Sequence, residues 1–205
     1  MKPVFIESIC CEGRQLQRTA LHQERAARTV QAVWGCPPQF DFSHISLPAD
    51  TGPGRYKCRV AYQEEIVSLS FTPYAIRPVR SLKAVEAPPT LDYTFKSADR
   101  SALEALFGKR GGKDDILITR NGYLTDTYYA NIALWDGWAW YTPDKPLLAG
   151  TRRASLLASG QIIAAPLHIK DLQAFTQVAL FNAMMGLGEG PVVATTAVEH
   201  SFTKK

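Results

Sequence analysis

The feature that most constrains this chain is a pair of tight reversals in its middle third. Asn121-Gly122 lies between the β-prone residues 115–119 and 123–125, and Asp136-Gly137 lies between residues 131–135 and 138–141. Asn-Gly and Asp-Gly accept the left-handed backbone angles of a two-residue hairpin, whose twist matches that of the strands it joins. Two such signals in succession predict antiparallel strands here, and the other elements must be placed around them.

Residues 4–10 are apolar with β-branched side chains and read as a strand, closed by a turn at Glu12-Gly13. Cys10 and Cys11 alternate across it, so one of the two is expected to be buried as a small hydrophobe. Leu21, Ala26, Val30, Val33 and Trp34 recur at helical spacing and predict a helix over residues 21–34, stopped by Gly35 and Pro37-Pro38. Residues 36–54 read as a loop, and residues 56–62 and 66–71 as two strands joined through Gln63-Glu64-Glu65. Residues 77–90, with Pro78, Pro88 and Pro89, are the expected boundary between a small N-terminal lobe (1–80) and a larger C-terminal lobe (81–205). A helix is expected over residues 97–107 and ends at Gly108; further helices begin near Thr151 and after Asp171, which would cap the second. Strands are expected at residues 178–181 and 191–195. The reading is an α+β chain with mostly antiparallel strands.

Composition removes several function classes. The formal net charge is +4 and the basic residues are scattered, whereas a nucleic-acid binder concentrates them on one face. The four cysteines form no C-x-x-C pair and have no histidine cluster nearby, so no metal site is expected. Glu7 interrupts the N-terminal apolar run where a secretory signal would need it unbroken, and no run of about 18 apolar residues exists to span a membrane. A reduced, cytoplasmic compartment is the simplest expectation. The turn Lys109-Arg110-Gly111-Gly112-Lys113 lacks the spacing of a phosphate-binding loop and reads as a solvated helix exit.

Four pieces could carry chemistry, and the residues alone leave a plainer reading open for each. Lys96 follows Tyr93-Thr94-Phe95 at an expected strand end before a helix; aromatic neighbours would desolvate it and favour the neutral amine of a Schiff base, or its head simply sits in water. Asp126 follows the Asn121-Gly122 hairpin, where a buried carboxylate could hold a pyridinium proton or merely cap a strand. Gly150 precedes Thr151, Arg152 and Arg153 at an expected helix start, where backbone N–H groups and the positive end of the dipole bind phosphate. Arg25, in His22-Gln23-Glu24-Arg25, is either a phosphate ligand or a surface helix arginine, and His22 is assigned a structural role.

Together these pieces stand in a familiar order. Residues 121–132, Asn-Gly-Tyr-Leu-Thr-Asp-Thr-Tyr-Tyr-Ala-Asn-Ile, resemble the signature N-G-x-[VL]-T-E-x-x-x-x-N-[IL] of the class IV aminotransferase and aminodeoxychorismate lyase family. Tyr141-Thr142-Pro143, residues 147–153, Phe5-Ile6-Glu7-Ser8-Ile9 and His22-Gln23-Glu24-Arg25 are similar to its other blocks, and Lys96-Ser97-Ala98-Asp99-Arg100 is similar to the K-x-x-N-R of the lyase branch. The resemblance implies fold type IV: two α/β lobes with pyridoxal 5'-phosphate (PLP) at their junction, usually in a homodimer. It implies Lys96 as the catalytic Schiff-base lysine and Asp126, one methylene shorter than the usual Glu, as partner of the pyridine nitrogen. Asn131 and Gly150 fall in the cofactor-binding blocks. Arg25, the amides near Thr151 and Arg152, and those near Ala183 are the implied phosphate ligands. The expected activity is release of pyruvate from aminodeoxychorismate to give 4-aminobenzoate. The alternatives are transamination of branched-chain or D-amino acids, or PLP binding with little turnover.

Overall fold

In the computed structural model, which describes residues 2–200, strand β1 (Phe5–Glu12) is buried except at half-buried Ser8 and exposed Glu12. Both Cys10 and Cys11 are therefore inside, against the expectation of one. Chain contacts divide the protein into two units, Met1–Ala75 with Phe95–Asp99, and Ile76–Thr94 with Arg100–Lys205.

The first unit is a four-stranded antiparallel sheet ordered β2-β1-β3-β4, with β2 at Gln15–Leu16, β3 at Tyr56–Tyr62 and β4 at Ile66–Pro73. Helix α1 (Thr19–Trp34) starts slightly earlier than its apolar spacing suggests and ends where Gly35 turns left-handed (φ 73°), its N–H returning to the Gln31 carbonyl. Ala26 and Val30 pack with Phe5, Ile9, Phe42, Cys58, Val60 and Tyr62 into one core. Burial of each larger side chain contributes about 1.5–3 kcal/mol before the entropy cost of ordering it.

One polar contact lies in that core. Glu7, on β1, is fully buried and accepts from Arg25 Nε at 2.8 Å, from Arg25 Nη2 at 2.5 Å and from His22 Nδ1 at 2.5 Å. Burial pushes the carboxyl pKa upward, but the Arg25 charge and the His22 and Arg25 hydrogen bonds outweigh it and hold Glu7 at about 2. Burial keeps His22 below its ordinary range, so it stays neutral and donates from Nδ1.

The segment around Lys96 joins this unit, where the sequence grouped it with the C-terminal lobe. Ile6 N–H donates to the Lys96 carbonyl and Ala98 N–H to the Val4 carbonyl, each at 2.9 Å, and Phe95 meets Phe5 edge to face. The expected strand end and helix start at residue 97 are absent for the same reason. Residues 96–98 spend their backbone groups on β1, and α2 (Ser101–Phe107) begins only beyond them.

The second unit is built on a nine-stranded mixed sheet. Strand β5 (Leu82–Glu86) runs inside the segment read as an inter-lobe linker; its neighbouring prolines mask a strand whose Leu82 is fully buried. It is parallel to β6 (Asp115–Arg120), with α2 in the connection. The β6–β7 hairpin turns through Asn121 (φ 51°) and Gly122 (φ 77°) as expected, and β7 is Tyr123–Thr127. Strand β8 (Asn131–Trp135) touches β7 at the pair Asp126–Asn131 and runs antiparallel to β9 (Trp140–Pro143).

Helix α3 (Thr151–Ala158) starts at the expected residue and leads to β10 (Ile163–Ala165). Among the described residues no α-helix follows Asp171. That residue sits inside a short 3₁₀ turn (Ile169–Ala174) capped instead by His168, whose side chain accepts from Lys170 N–H. Strand β11 (Gln177–Phe181) pairs with β8 and with β12 (Val192–Ala194), and β13 (Val198–Glu199) lies along β5.

Glu7 carries a pH signature. Its contribution is complete above the free carboxyl value and is lost as pH falls toward about 2. Glu7→Gln should cost about 3–5 kcal/mol at pH 7, by leaving Arg25 buried without its counter-charge. Urea unfolding at a series of pH values should show that deficit shrinking by about 3 kcal/mol between pH 5 and 2.

Candidate active site

The polar centre of the second unit forms where β7 meets β8. Asp126 Oδ1 accepts from Asn131 Nδ2 at 2.7 Å, and Oδ2 accepts from Leu148 N–H at 2.8 Å. Asn131 donates its second amide hydrogen to the Leu148 carbonyl at 2.9 Å. One side chain from each strand thus grips the loop between β9 and α3, three residues before the helix. Gly150 closes the arrangement: a Cβ built there would run into Asn131 Oδ1, so no larger residue fits without breaking the contact. The three sequence-predicted residues Asp126, Asn131 and Gly150 are therefore brought together.

Asp126 is only 5% exposed, and burial pushes its pKa up to about 6. The Leu148 and Asn131 hydrogen bonds and the charge of Arg153 pull the other way without cancelling it. Arg153, on the first turn of α3, is itself buried and donates to the Pro143 carbonyl at 2.7 Å; burial lowers its pKa. The result is a carboxylate in a dry site, with two donors fixing its plane and a fixed cation nearby. Such a group gains by meeting a further positively charged N–H.

Thr151 and Arg152 are the first residues of α3, so their backbone N–H groups point out of the N-terminal end of the helix. Arg152 Nε is buried and, among the described residues, makes no hydrogen bond. Its guanidinium lies beside Gly186, where a Cβ would come within 3.7 Å of Cζ. Ala183 sits in the turn after β11, in which Asn182 and Met185 exchange backbone hydrogen bonds; Asn182 Nδ2 ties this turn to the Tyr129 carbonyl at 3.3 Å. A buried, unsatisfied guanidinium nitrogen at a helix N-terminus is what a phosphate satisfies, and a buried carboxylate with raised pKa is what a pyridinium satisfies. On both counts the donor set fits PLP.

Arg25 and Lys96 lie in the first unit. Arg25 is not a surface arginine: it is 8% exposed and bound to Glu7. Lys96 is held by its backbone to β1. Sequence reasoning missed Glu7 as the partner of Arg25. The signal was present, since a lone carboxylate inside an apolar strand demands compensation, and His22 and Arg25, three apart on the next helix, share a face to supply it. Arg100 also has a definite place: it donates to the Tyr93 hydroxyl at 3.1 Å and to the Tyr128 carbonyl at 2.7 Å, over the Tyr128 ring.

Asp126 generates a test in the cofactor-free protein. Its folded-state pKa is raised, so its contribution is fully present below the unfolded value near 3.8 and is lost as pH rises through about 6. Relative to the parent, Asp126→Asn should therefore gain about 3 kcal/mol of unfolding free energy between pH 4 and 7, measured by urea denaturation. A constant difference across that range would contradict a desolvated carboxylate.

Comparison with known proteins gives this arrangement its context. Residues 6–189 match the amino-transferase class IV family. An uncharacterised protein of Haemophilus influenzae is 35% identical over 190 residues, 91% of this chain and 100% of that one. A crystal structure from Haemophilus somnus, of a protein provisionally named a 4-amino-4-deoxychorismate lyase, is 31% identical with a TM-score of 0.79, covering 91% of this chain and 99% of its own. The branched-chain amino acid aminotransferase of Escherichia coli shares the fold at 13% identity and a TM-score of 0.71, over 97% of this chain and 77% of its own. Among the described residues no helix is long and apolar enough to cross a membrane. With the family match spanning nearly the whole chain, the protein is an α+β enzyme of fold type IV and belongs to the class IV aminotransferase family, whose members depend on PLP.

Proposed function

We propose that the chain binds PLP and acts as an aminodeoxychorismate lyase-like enzyme, releasing pyruvate from aminodeoxychorismate to give 4-aminobenzoate. The observation that carries the cofactor assignment is Asp126, a buried carboxylate pushed up to about 6 and fixed by Asn131 and Leu148. In this reading Asp126 accepts the pyridinium N–H and keeps that nitrogen protonated. Arg25 and Arg152, with the amides at Thr151 and near Ala183, hold the phosphate. Asn131 and Gly150 act from behind, one orienting Asp126 and the other leaving room for that contact.

Bound PLP supplies an electron sink for the charge left on carbon when a proton departs. Lys96 would hold the cofactor through its side-chain amine, and that amine, when free, would take up the proton lost from the amine-bearing carbon of the substrate and return one later, as general base and then acid. The lyase outcome is supported by Lys96-Ser97-Ala98-Asp99-Arg100 and by likeness to the Haemophilus somnus protein. Transamination of a branched-chain or D-amino acid begins with the same groups and is the second reading, since that fold is shared with an aminotransferase; PLP binding with little turnover is the third. A homodimer, expected from the family, and a cytoplasmic location complete this reading.

The test begins with the visible absorption of the protein supplied with PLP, beside Lys96→Ala. A band that resists dialysis in the parent and disappears in the variant is expected, with turnover falling about a hundredfold or more. A band of equal strength in both proteins would refute Lys96 as the attachment point. Incubation with aminodeoxychorismate should release pyruvate and 4-aminobenzoate in equal amounts. Formation of a keto acid from an amino acid, with no 4-aminobenzoate, would place the enzyme among the transaminases.

A further inference from the structure

Glu7 has no exposure and lies in an apolar strand, yet it is an ionised carboxylate paired with Arg25. Apolar residues could fill its space and that of Arg25 without desolvating two charges, so stability alone does not account for the pair. Its geometry is specific. Glu7 Oε1 accepts from Arg25 Nε at 2.8 Å and Oε2 from Arg25 Nη2 at 2.5 Å, a two-bond grip along one edge of the guanidinium. Because the guanidinium is rigid and planar, this grip also sets the plane and the direction of Nη1. His22 Nδ1, at 2.5 Å from Oε2, holds the carboxylate from a second point on α1.

Glu7 is also one residue from Ile6, whose N–H donates to the Lys96 carbonyl at 2.9 Å. Adjacent residues of β1 therefore place two groups at once: the Lys96 backbone through a main-chain bond, and the Arg25 guanidinium through a side chain. We propose that Glu7 is a positioning residue, holding Arg25 in the one orientation in which its guanidinium engages the phosphate of PLP. This rests on the reading that PLP is bound by Lys96 with Arg25 on its phosphate.

The test compares PLP with pyridoxal, which lacks the phosphate, by titrating the visible band of each on the cofactor-free protein. The variants are Glu7→Asp, Arg25→Lys and the double substitution; all keep the buried charges. Glu7→Asp should lower the preference for PLP over pyridoxal by about tenfold, with pyridoxal affinity little changed. In the Arg25→Lys background the same change should have no further effect on that preference, because Glu7 acts only through the guanidinium. An unaltered preference in Glu7→Asp, or an equal drop in both backgrounds, would overturn the positioning role while leaving the PLP assignment standing. A parent protein that forms no band with either compound would overturn the PLP reading and this inference with it.

Discussion

A carboxylate taken out of water must be met by donors, and in the second unit that requirement organises the structure around Asp126. Its two oxygens are answered by Asn131 on β8 and by the Leu148 amide ahead of α3. Satisfying one buried group thus ties together β7, β8 and the start of a helix. The same knot explains the glycine at 150, since Asn131 can reach Leu148 only where no side chain intervenes. The compensation is incomplete, because burial still raises the carboxyl pKa to about 6. A residue held in that state is a ready acceptor for a cationic N–H, so the local cost and the assigned chemistry have one origin.

The first unit solves the analogous problem differently. Glu7 meets a full cation and a neutral imidazole, and its pKa falls to about 2 despite equal burial. The contrast between the two carboxylates comes from their partners: Asp126 has two hydrogen bonds and a more distant charge, whereas Glu7 has a two-bond guanidinium contact. Glu7 is satisfied within its own unit and joins α1 to β1 through polar contact as well as apolar packing. Asp126, met by neutral donors and that more distant charge, stays raised. Buried acids of the same class are thus driven to opposite shifts by their environment.

The segment around Lys96 shows how tertiary contact overrides a local signal. The aromatic run before it looks like a strand end, but residues 96–98 are joined to β1 and to Val4 just before it by two backbone hydrogen bonds, and Phe95 is packed on Phe5. The backbone of Lys96 is therefore fixed by its pairing with Ile6 rather than by a helix.

Much of the fold was legible because its signals are local. The Asn121-Gly122 turn follows from residues that tolerate positive φ, and the end of α1 from Gly35. The start of α3 follows from the glycine before Thr151. Such preferences reside in two or three neighbouring residues and survive any tertiary context. Asp126, Asn131 and Gly150 could be grouped because they fall within one recognisable order of motifs. Strand β5 could not be read, since the prolines on either side of it are local signals while its burial is not. The helix start at Ser101, the 3₁₀ turn at Asp171, the burial of both Cys10 and Cys11, and the bond between Glu7 and Arg25 were decided by tertiary structure alone. Each depends on which distant backbone or charge arrives alongside, and that is a property of packing that no short stretch of sequence contains.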